Sequence, residues 1–201
     1  MVTIESLKDY WDNKRTTEFR ELAEQIYQIV DTTATDYPFR KDWFYGKQLA
    51  GITSAEREIL FARNSEAYQQ IIGLACLKKT KEESKICNLF VSEPYRNQGI
   101  GTALMERAFA WLGTTEPLMT VAENKLPQFL PFAQKYGWHI KARLQGIYEP
   151  QSCELCFNGT LTKEQNEQKE QAAGATSATA HKLSTLVGFH KQQDFEMDLT
   201  K

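Results

Sequence analysis

Residues 93–104, EPYRNQGIGTAL, place an arginine and two glycines where a strand-like pattern changes into a helix-like one. Backbone N–H groups at the start of a helix have no partner within that helix, and the aligned peptide dipoles give this end a partial positive charge. Gly99 and Gly101 would let a phosphate approach the backbone closely, and Arg96 adds a full charge beside it. The stretch therefore predicts a phosphate site.

Two common phosphate-binding motifs are excluded. No G-K-[ST] follows the glycines, so this is not a P-loop, and the dinucleotide fingerprint G-x-G-x-x-G lacks its third glycine. What remains is Arg-x-x-Gly-x-Gly after a strand that ends in a valine. A glycine pair alone is also compatible with a tight turn that binds nothing.

The elements around this loop predict an α/β or α+β domain with a mixed sheet. A helical apolar pattern covers 16–33, and the N-terminal third is expected to be mainly helical. The aromatic segment 36–52 predicts a loop or short helices, with core packing favoured over a pocket wall for its rings. Strands are predicted at 56–63, 69–79, 85–91, 117–122, 139–149 and 153–159, and helices at 102–112 and 126–136, ended by Gly113 and Gly137.

Composition and charge limit the class of partner. With 41% hydrophobic residues and a formal charge of −2, the chain has no global electrostatic reason to bind nucleic acid or an anionic membrane. No apolar run approaches the length of a membrane span, which predicts a cytoplasmic protein. The pair Cys153 and Cys156 lacks a second pair of ligands, so no metal is expected. We divide the chain into a domain at 1–160, a polar linker at 161–180 and a tail at 181–201, which stays disordered or docks, either on the domain or on a second subunit of a homodimer.

Two runs of residues resemble a known family. LFVSEPYRNQGIGTALMERA is similar to the acetyl-CoA loop of the GNAT acetyltransferase superfamily, in which an apolar strand and a proline-containing turn precede [R/Q]-x-x-G-x-[G/A]. Downstream, TVAENKLPQFLPFAQKYGWHI resembles the family's second signature, which has an Asn after a strand, then a helix and a closing Gly-aromatic pair. The resemblance extends over about residues 17–160.

The resemblance implies a GNAT-like fold with acetyl-CoA as co-substrate. The sheet would be mostly antiparallel, flanked by helices, and splayed after the strand that carries Val91. Main chain at Leu89, Phe90 and Val91 would pair with the pantetheine arm, and Asn124 would lie beside that arm. The backbone groups that would bind the pyrophosphate, next to the Arg96 charge, belong to Asn97, Gln98, Gly99, Ile100, Gly101 and Thr102.

In this family the amine mostly attacks the thioester directly, and a strand N–H, here that of Val91, would hold the oxyanion. Two side chains that many members use are missing. A glutamate is replaced by Cys87, and a tyrosine four residues before the closing glycine is replaced by Ala133. Tyr136 is the nearest phenol and the candidate acid, with packing beside Gly137 as the alternative. A water relay could replace any base, and Tyr148 and Glu123 are weaker candidates.

The resemblance thus implies an N-acetyltransferase that acts on a primary amine of a small molecule or peptide. Two alternatives remain. One is a toxin-like transferase that modifies aminoacyl-tRNA, which the charge of −2 disfavours. The other is a non-catalytic module that binds acyl-CoA, which the missing glutamate and tyrosine favour.

Overall fold

A computed structural model describes residues 1–33, 37, 39–64, 70–148 and 150–161. Within this part of the chain, seven strands form one sheet with the order β1-β2-β3-β4-β5-β7-β6. Every neighbouring pair is antiparallel except β4 and β5, which are parallel. The prediction of a mixed, mostly antiparallel sheet is confirmed. The strands are β1 (Val2–Ser6), β2 (Arg57–Asn64), β3 (Gln70–Lys79), β4 (Ser84–Val91), β5 (Leu118–Ala122), β6 (Ile140–Gln145) and β7 (Cys153–Phe157).

The helices follow the predicted pattern closely. The apolar periodicity of 16–33 forms a single helix, and the predicted stops at Gly113 and Gly137 both adopt the left-handed conformation that glycine tolerates best. The aromatic segment forms short helices joined by a π-helical turn at Phe44–Leu49. The α-helices are α1 (Leu7–Asp12), α2 (Thr16–Thr33), α3 (Arg40–Trp43), α4 (Ala50–Thr53), α5 (Ile100–Leu112) and α6 (Leu126–Tyr136).

The N-terminal expectation was incomplete, because β1 and α1 precede the predicted helix. β1 is an edge strand of five residues that pairs with β2. Ser6 ends it and caps α1, since its hydroxyl accepts a hydrogen bond from the Asp9 N–H at 3.3 Å. The predicted linker at 161–180 and tail at 181–201 lie outside the described residues, except for Leu161, which is buried.

Helices cover both faces of the sheet, and alternate residues of each strand serve the two faces. On β2, Leu60 points to the cluster that contains α5, whereas Ile59 and Phe61 point to the cluster that contains α2. Both clusters include fully buried large side chains. The result is a three-layer arrangement in which each layer of helices closes one side of the same sheet.

The sheet opens in its middle. β4 and β5 pair only at Lys85 with Leu118 and at Ile86 with Met119, and beyond these residues the parallel pairing ends. At the same point β4 contains a bulge: Leu77 of β3 pairs with Ile86 and the next residue, Cys76, pairs with Asn88, so Cys87 is the extra residue. A bulge bends a strand and increases its twist, which accounts for the separation of β4 from β5.

Gly73 of β3 keeps the separated half of β4 in place. A Cβ atom there would lie 3.0 Å from the Phe90 carbonyl oxygen and 3.2 Å from Leu104 Cδ1, closer than ordinary packing. We expect Gly73→Ala to lower the free energy of unfolding by about 1–3 kcal/mol, because β4 or α5 must shift. Urea unfolding measures this change.

Gly159→Ala is the matched control. A Cβ at 159 would lie 3.4 Å from Leu118 Cδ1, an ordinary contact, so a change of no more than about 0.5 kcal/mol is expected. Equal stability of Gly73→Ala and Gly159→Ala would show that the close approach of α5 and β4 to Gly73 is not a constraint.

Candidate functional site

Two cavities meet in the gap between β4 and β5. The smaller, here called the loop cavity, has a volume of about 430 Å³ and lies on the α5 and α6 face. The larger, here called the wide cavity, has a volume of about 540 Å³ and is lined by α2, α3 and the π-helical turn and, across the gap, by β5 and the first turn of α6. Both volumes are in the range of small-molecule sites. The residues that line both cavities are Leu89, Phe90, Arg96, Gln128 and Phe129.

Main-chain groups of β4 point into the gap at alternate residues. The Ser92 N–H donates to the Ile72 carbonyl at 2.8 Å while Val91 is paired with Gly73, which makes that pair non-hydrogen-bonded. The N–H and C=O of Val91 therefore point away from β3, and by alternation those of Leu89 do the same. The main chain of Phe90 is directed at Leu74 of β3, so Phe90 lines the cavities without offering its N–H or C=O to a ligand in the gap.

The start of α5 forms one wall of the loop cavity. Gly99 is the N-cap at φ 82°, Asn97 is also left-handed at φ 61°, and the first intrahelical bond runs from the Ala103 N–H to the Gly99 carbonyl. The N–H groups of Ile100, Gly101 and Thr102 precede that bond and have no partner within the helix. This geometry fits the predicted anion site.

The two glycines act differently. A Cβ at Gly99 would meet no atom within 4 Å, so the requirement there is the positive φ. A Cβ at Gly101 would lie 3.0 Å from Phe132 Cζ of α6. Gly101 therefore lets α6 approach the loop, a reason that the sequence pattern did not reveal.

The remaining predicted loop residues lie at the surface. Arg96 is exposed, and its Nε donates to the Val91 carbonyl at 3.1 Å, which holds the guanidinium at the junction of the two cavities. Gln98 donates to the Pro94 carbonyl at 3.1 Å. Asn124 lies in the turn between β5 and α6 with an exposed side chain and lines neither cavity, so its predicted role beside the pantetheine stays a prediction.

Aromatic side chains form part of the wide cavity. The Tyr37 ring lies 5.0 Å from that of Tyr148 and 6.2 Å from that of Trp43, and all three residues line the cavity. Phe44 is completely buried in the core instead. The aromatic segment thus serves both functions that the sequence left open, with one side of its helical part facing the cavity and the other side facing the core.

Charged residues occupy the same cavity, some of them buried. Lys85 of β4 is 5% exposed and Glu154 of β7 is 4% exposed. Burial lowers the pKa of the Lys47 ammonium, and the neighbouring cations Arg57 and Lys78 lower it further. Sequence reasoning missed Lys85 and Glu154, and the available signal was a charged residue inside each of the apolar runs KICNLFV and CELCF.

Tyr136, the predicted acid, lies elsewhere. Its ring centroid is 4.9 Å from that of Phe109 and 5.7 Å from that of Trp138, and it lines neither cavity. Its position matches the alternative reading, packing beside Gly137, and does not bring the phenol to the gap. Ala133 is buried in the same cluster.

The other candidates are divided between the cavity and the surface. Cys87 lines the wide cavity, where its Sγ is 3.9 Å from Arg57 Nη1. Tyr148 lines the wide cavity too. Glu123 forms an exposed ion pair with Arg143 at 2.7 Å.

Neither a metal cluster nor a membrane helix is found in the described ranges. They contain no group of three or more His, Cys, Asp or Glu side chains arranged to hold a metal ion. Cys153 and Cys156 are free thiols on β7. Within the same ranges, every helix is too short or too polar to cross a bilayer.

Comparison with known proteins points to one family. A model of the acetyltransferase (GNAT) family matches residues 16–138. A comparison with curated proteins finds no match.

Solved structures of this family share the fold. A GNAT-family acetyltransferase structure from Desulfovibrio desulfuricans aligns at 15% identity and TM-score 0.57 over 78% of this chain and 97% of that one. Naa50 of Arabidopsis thaliana, in complex with the bisubstrate analogue CoA-Ac-MVNAL, aligns at 20% identity and TM-score 0.54 over 79% and 99%. A chimera of the Vibrio cholerae spermidine N-acetyltransferase SpeG and hSSAT aligns at 13% identity and TM-score 0.51 over 78% and 94%.

The loop cavity yields a direct test of the anion site. We expect Arg96→Ala to weaken acetyl-CoA binding about tenfold, because a charge-assisted contact is lost. Gly99→Asp should weaken it further, since it adds a carboxylate and strains the positive φ at the N-terminus of α5. Isothermal titration calorimetry measures both affinities.

Arg107→Ala removes a comparable charge from the exposed surface of α5, outside both cavities, and should bind acetyl-CoA like the unmodified protein. Unchanged affinity in Arg96→Ala and Gly99→Asp would contradict the assignment of this loop to the pyrophosphate.

Proposed function

Since the chain belongs to the acetyltransferase (GNAT) family, we propose that it transfers the acetyl group of acetyl-CoA to a primary amine of a small molecule or peptide. The observation that supports this most is the gap between β4 and β5. It exposes the N–H and C=O groups of Leu89 and the N–H of Val91, whose C=O accepts from Arg96, next to the start of α5. An extended amide-containing arm that ends in a phosphate group matches both features.

Acetyl-CoA would occupy the loop cavity. Its pyrophosphate would accept hydrogen bonds from the N–H groups of Ile100, Gly101 and Thr102, close to Arg96. Its pantetheine arm would lie along β4 as an additional strand, paired with the Val91 N–H and the Leu89 C=O. The thioester then reaches the junction with the wide cavity, which is open to an acceptor.

The amine nitrogen attacks the thioester carbonyl directly. A C–N bond forms, the oxyanion accepts a hydrogen bond from a main-chain donor of β4, and the C–S bond breaks to release the CoA thiolate. The proposed donor is the Leu89 N–H, which points into the gap, because Leu89 lines both cavities whereas Val91, the donor predicted from the sequence, lines the loop cavity alone. The nitrogen loses one proton, and the thiolate gains one.

Glu154 is the proposed acceptor of the proton from the amine. This buried carboxylate lines the wide cavity on β7, where it pairs with Ala122 at the end of β5, across the gap from β4. Glu83, the other carboxylate of the lining, lies before the gap and forms an ion pair with Lys78 at 2.6 Å. A carboxylate in the cavity can act directly or through one water.

A second candidate function is a module that binds acyl-CoA without catalysis. The observation that favours it is the position of Ala133 and Tyr136. Ala133 has no phenol and that of Tyr136 does not reach the gap, so no tyrosine at either position lines the cavities. Cys87 occupies the position where many family members have a glutamate. The fold does not separate the two functions, because the cofactor contacts are the same in both.

A thiol-release assay distinguishes an enzyme from a binding module. With acetyl-CoA and a panel of primary amines, we expect amine-dependent release of CoA and formation of the matching N-acetyl product, detected by mass spectrometry. Tight acetyl-CoA binding without release on any amine would support the module instead.

Glu154→Gln tests the proton acceptor. We expect turnover to fall by about 10²–10⁴-fold, the usual contribution of a general base, with acetyl-CoA affinity unchanged.

Glu116→Gln, an exposed change between α5 and β5 outside both cavities, serves as the control. If Glu154→Gln keeps its turnover, the proton leaves by another route. If the acetyl-CoA affinity of Glu154→Gln falls by the same factor as its turnover, Glu154 has a structural role.

A further inference from the structure

The lining of the wide cavity has a strong excess of positive charge. The acidic residues among its described lining are Glu83 and Glu154. The basic residues, apart from Arg96 at the junction, are Arg40, Lys47, Arg57, Lys78, Lys85 and Lys125. Because the whole chain carries a formal charge of −2, this excess is local and is not a general property of the surface.

Some of these cations have carboxylate partners in the described part of the chain. Lys78 pairs with Glu83 at 2.6 Å, and Arg40 pairs with Asp31, which does not line the cavity, at 3.0 Å. The Arg57 guanidinium donates to neutral atoms, Gln48 Oε1 at 3.1 Å and Cys87 Sγ at 3.9 Å. In the described part of the chain no carboxylate forms an ion pair with Arg57, so a full positive charge lies against the cavity.

Lys85 is a second cation of the cavity, and it is almost inaccessible to solvent. It is 5% exposed and lies on β4 two residues before the bulge. Removing an ammonium from water is unfavourable unless an anion or strong acceptors compensate. Burial opposes the charge of Lys85, but Tyr148, Cys87 and Glu83 raise the pKa of this ammonium, so Lys85 lines the cavity as a cation.

Lys47 lines the wide cavity from another element, the π-helical turn. The spacing of Arg40, Trp43 and Lys47 places them along one side of the helical segment, and all three line the cavity while Phe44 and Gln48 are buried. Burial and the neighbours Arg57 and Lys78 lower the pKa of Lys47, which is the effect of crowded positive charge. An anion bound among these side chains would reverse that effect.

The phosphates of acetyl-CoA do not account for this cluster. The N–H groups at the start of α5 line the loop cavity, and residues 97–102 are absent from the lining of the wide cavity. The two groups of anion-binding features are therefore separate within the site.

We propose that the acceptor is a primary amine that also carries an anionic group, a carboxylate or a phosphate, which the basic residues of the wide cavity bind while the amine is directed to the gap. This inference rests on the proposed acetyl transfer. It excludes polyamines as good acceptors, because their additional ammonium groups would lie among lysines and arginines.

Matched amines test the proposal in the thiol-release assay. The pairs are O-phosphoethanolamine with ethanolamine and β-alanine with β-alaninamide, and spermidine is the cationic probe. We expect kcat/KM to be at least about tenfold higher for the anionic member of one pair, since a charge-assisted contact contributes about that factor. The pair that shows the difference identifies phosphate or carboxylate as the recognised group.

Variants of Lys47 show whether the cavity causes the preference. Lys47→Gln should reduce the anionic preference about tenfold, Lys47→Arg should retain it, and Lys41→Gln, an exposed change outside the cavity on the same helical segment, should not affect it. Equal kcat/KM for the two members of both pairs, or a preference for spermidine, would overturn the anionic acceptor and leave acetyl transfer intact.

Calorimetry on the CoA-saturated protein separates the two proposals. If no amine is acetylated, binding of O-phosphoethanolamine that exceeds binding of ethanolamine and depends on Lys47 shows an anion site without the transferase activity. Absence of both turnover and selective binding would refute the acceptor proposal together with the proposed function.

Discussion

The structure depends on one local departure from regular pairing, the bulge at Cys87 of β4. Pairing with β5 ends at Ile86, directly before this residue, so the centre of a seven-stranded sheet contains an unpaired strand edge. Unpaired edges are unfavourable in a folded protein unless something covers them. Here the edge faces two cavities, which makes a bound extended ligand the natural partner of the exposed main-chain groups.

Packing on the α5 and α6 face holds the opening in shape. Gly73 lets β4 and α5 approach β3 closely, and Gly101 lets α6 approach the start of α5. Gly73 lines neither cavity, whereas Gly101 lines the loop cavity and its N–H is a proposed donor to the pyrophosphate, so the absence of a side chain at both positions determines where the walls of that cavity lie. The separated half of β4 is thus positioned by close contacts with its neighbours, even though it lacks a strand partner on one side.

Much of the fold and of the cofactor loop could be predicted, because both depend on local pattern. Apolar spacing determines α2, and glycine stops end α5 and α6. The bulge depends on the pairing register, which no local pattern contains. The position of Tyr136 in the chain predicts it as the acid, but residues 133 and 136 lie on the face of α6 that packs into the core. A different face of the same helix lines the loop cavity, with Gln128, Phe132 and Lys135.

The two halves of the site differ in what builds them, and this explains what sequence can reveal about each. The cofactor half consists mainly of main-chain N–H and C=O groups, which many side chains permit, so structures only 13–20% identical to this chain keep the same fold. The acceptor half consists of side chains from α3, the π-helical turn, β4 and β7, which are distant in sequence. Family membership therefore predicts the donor, whereas the charge of the wide cavity is the feature that bears on the acceptor.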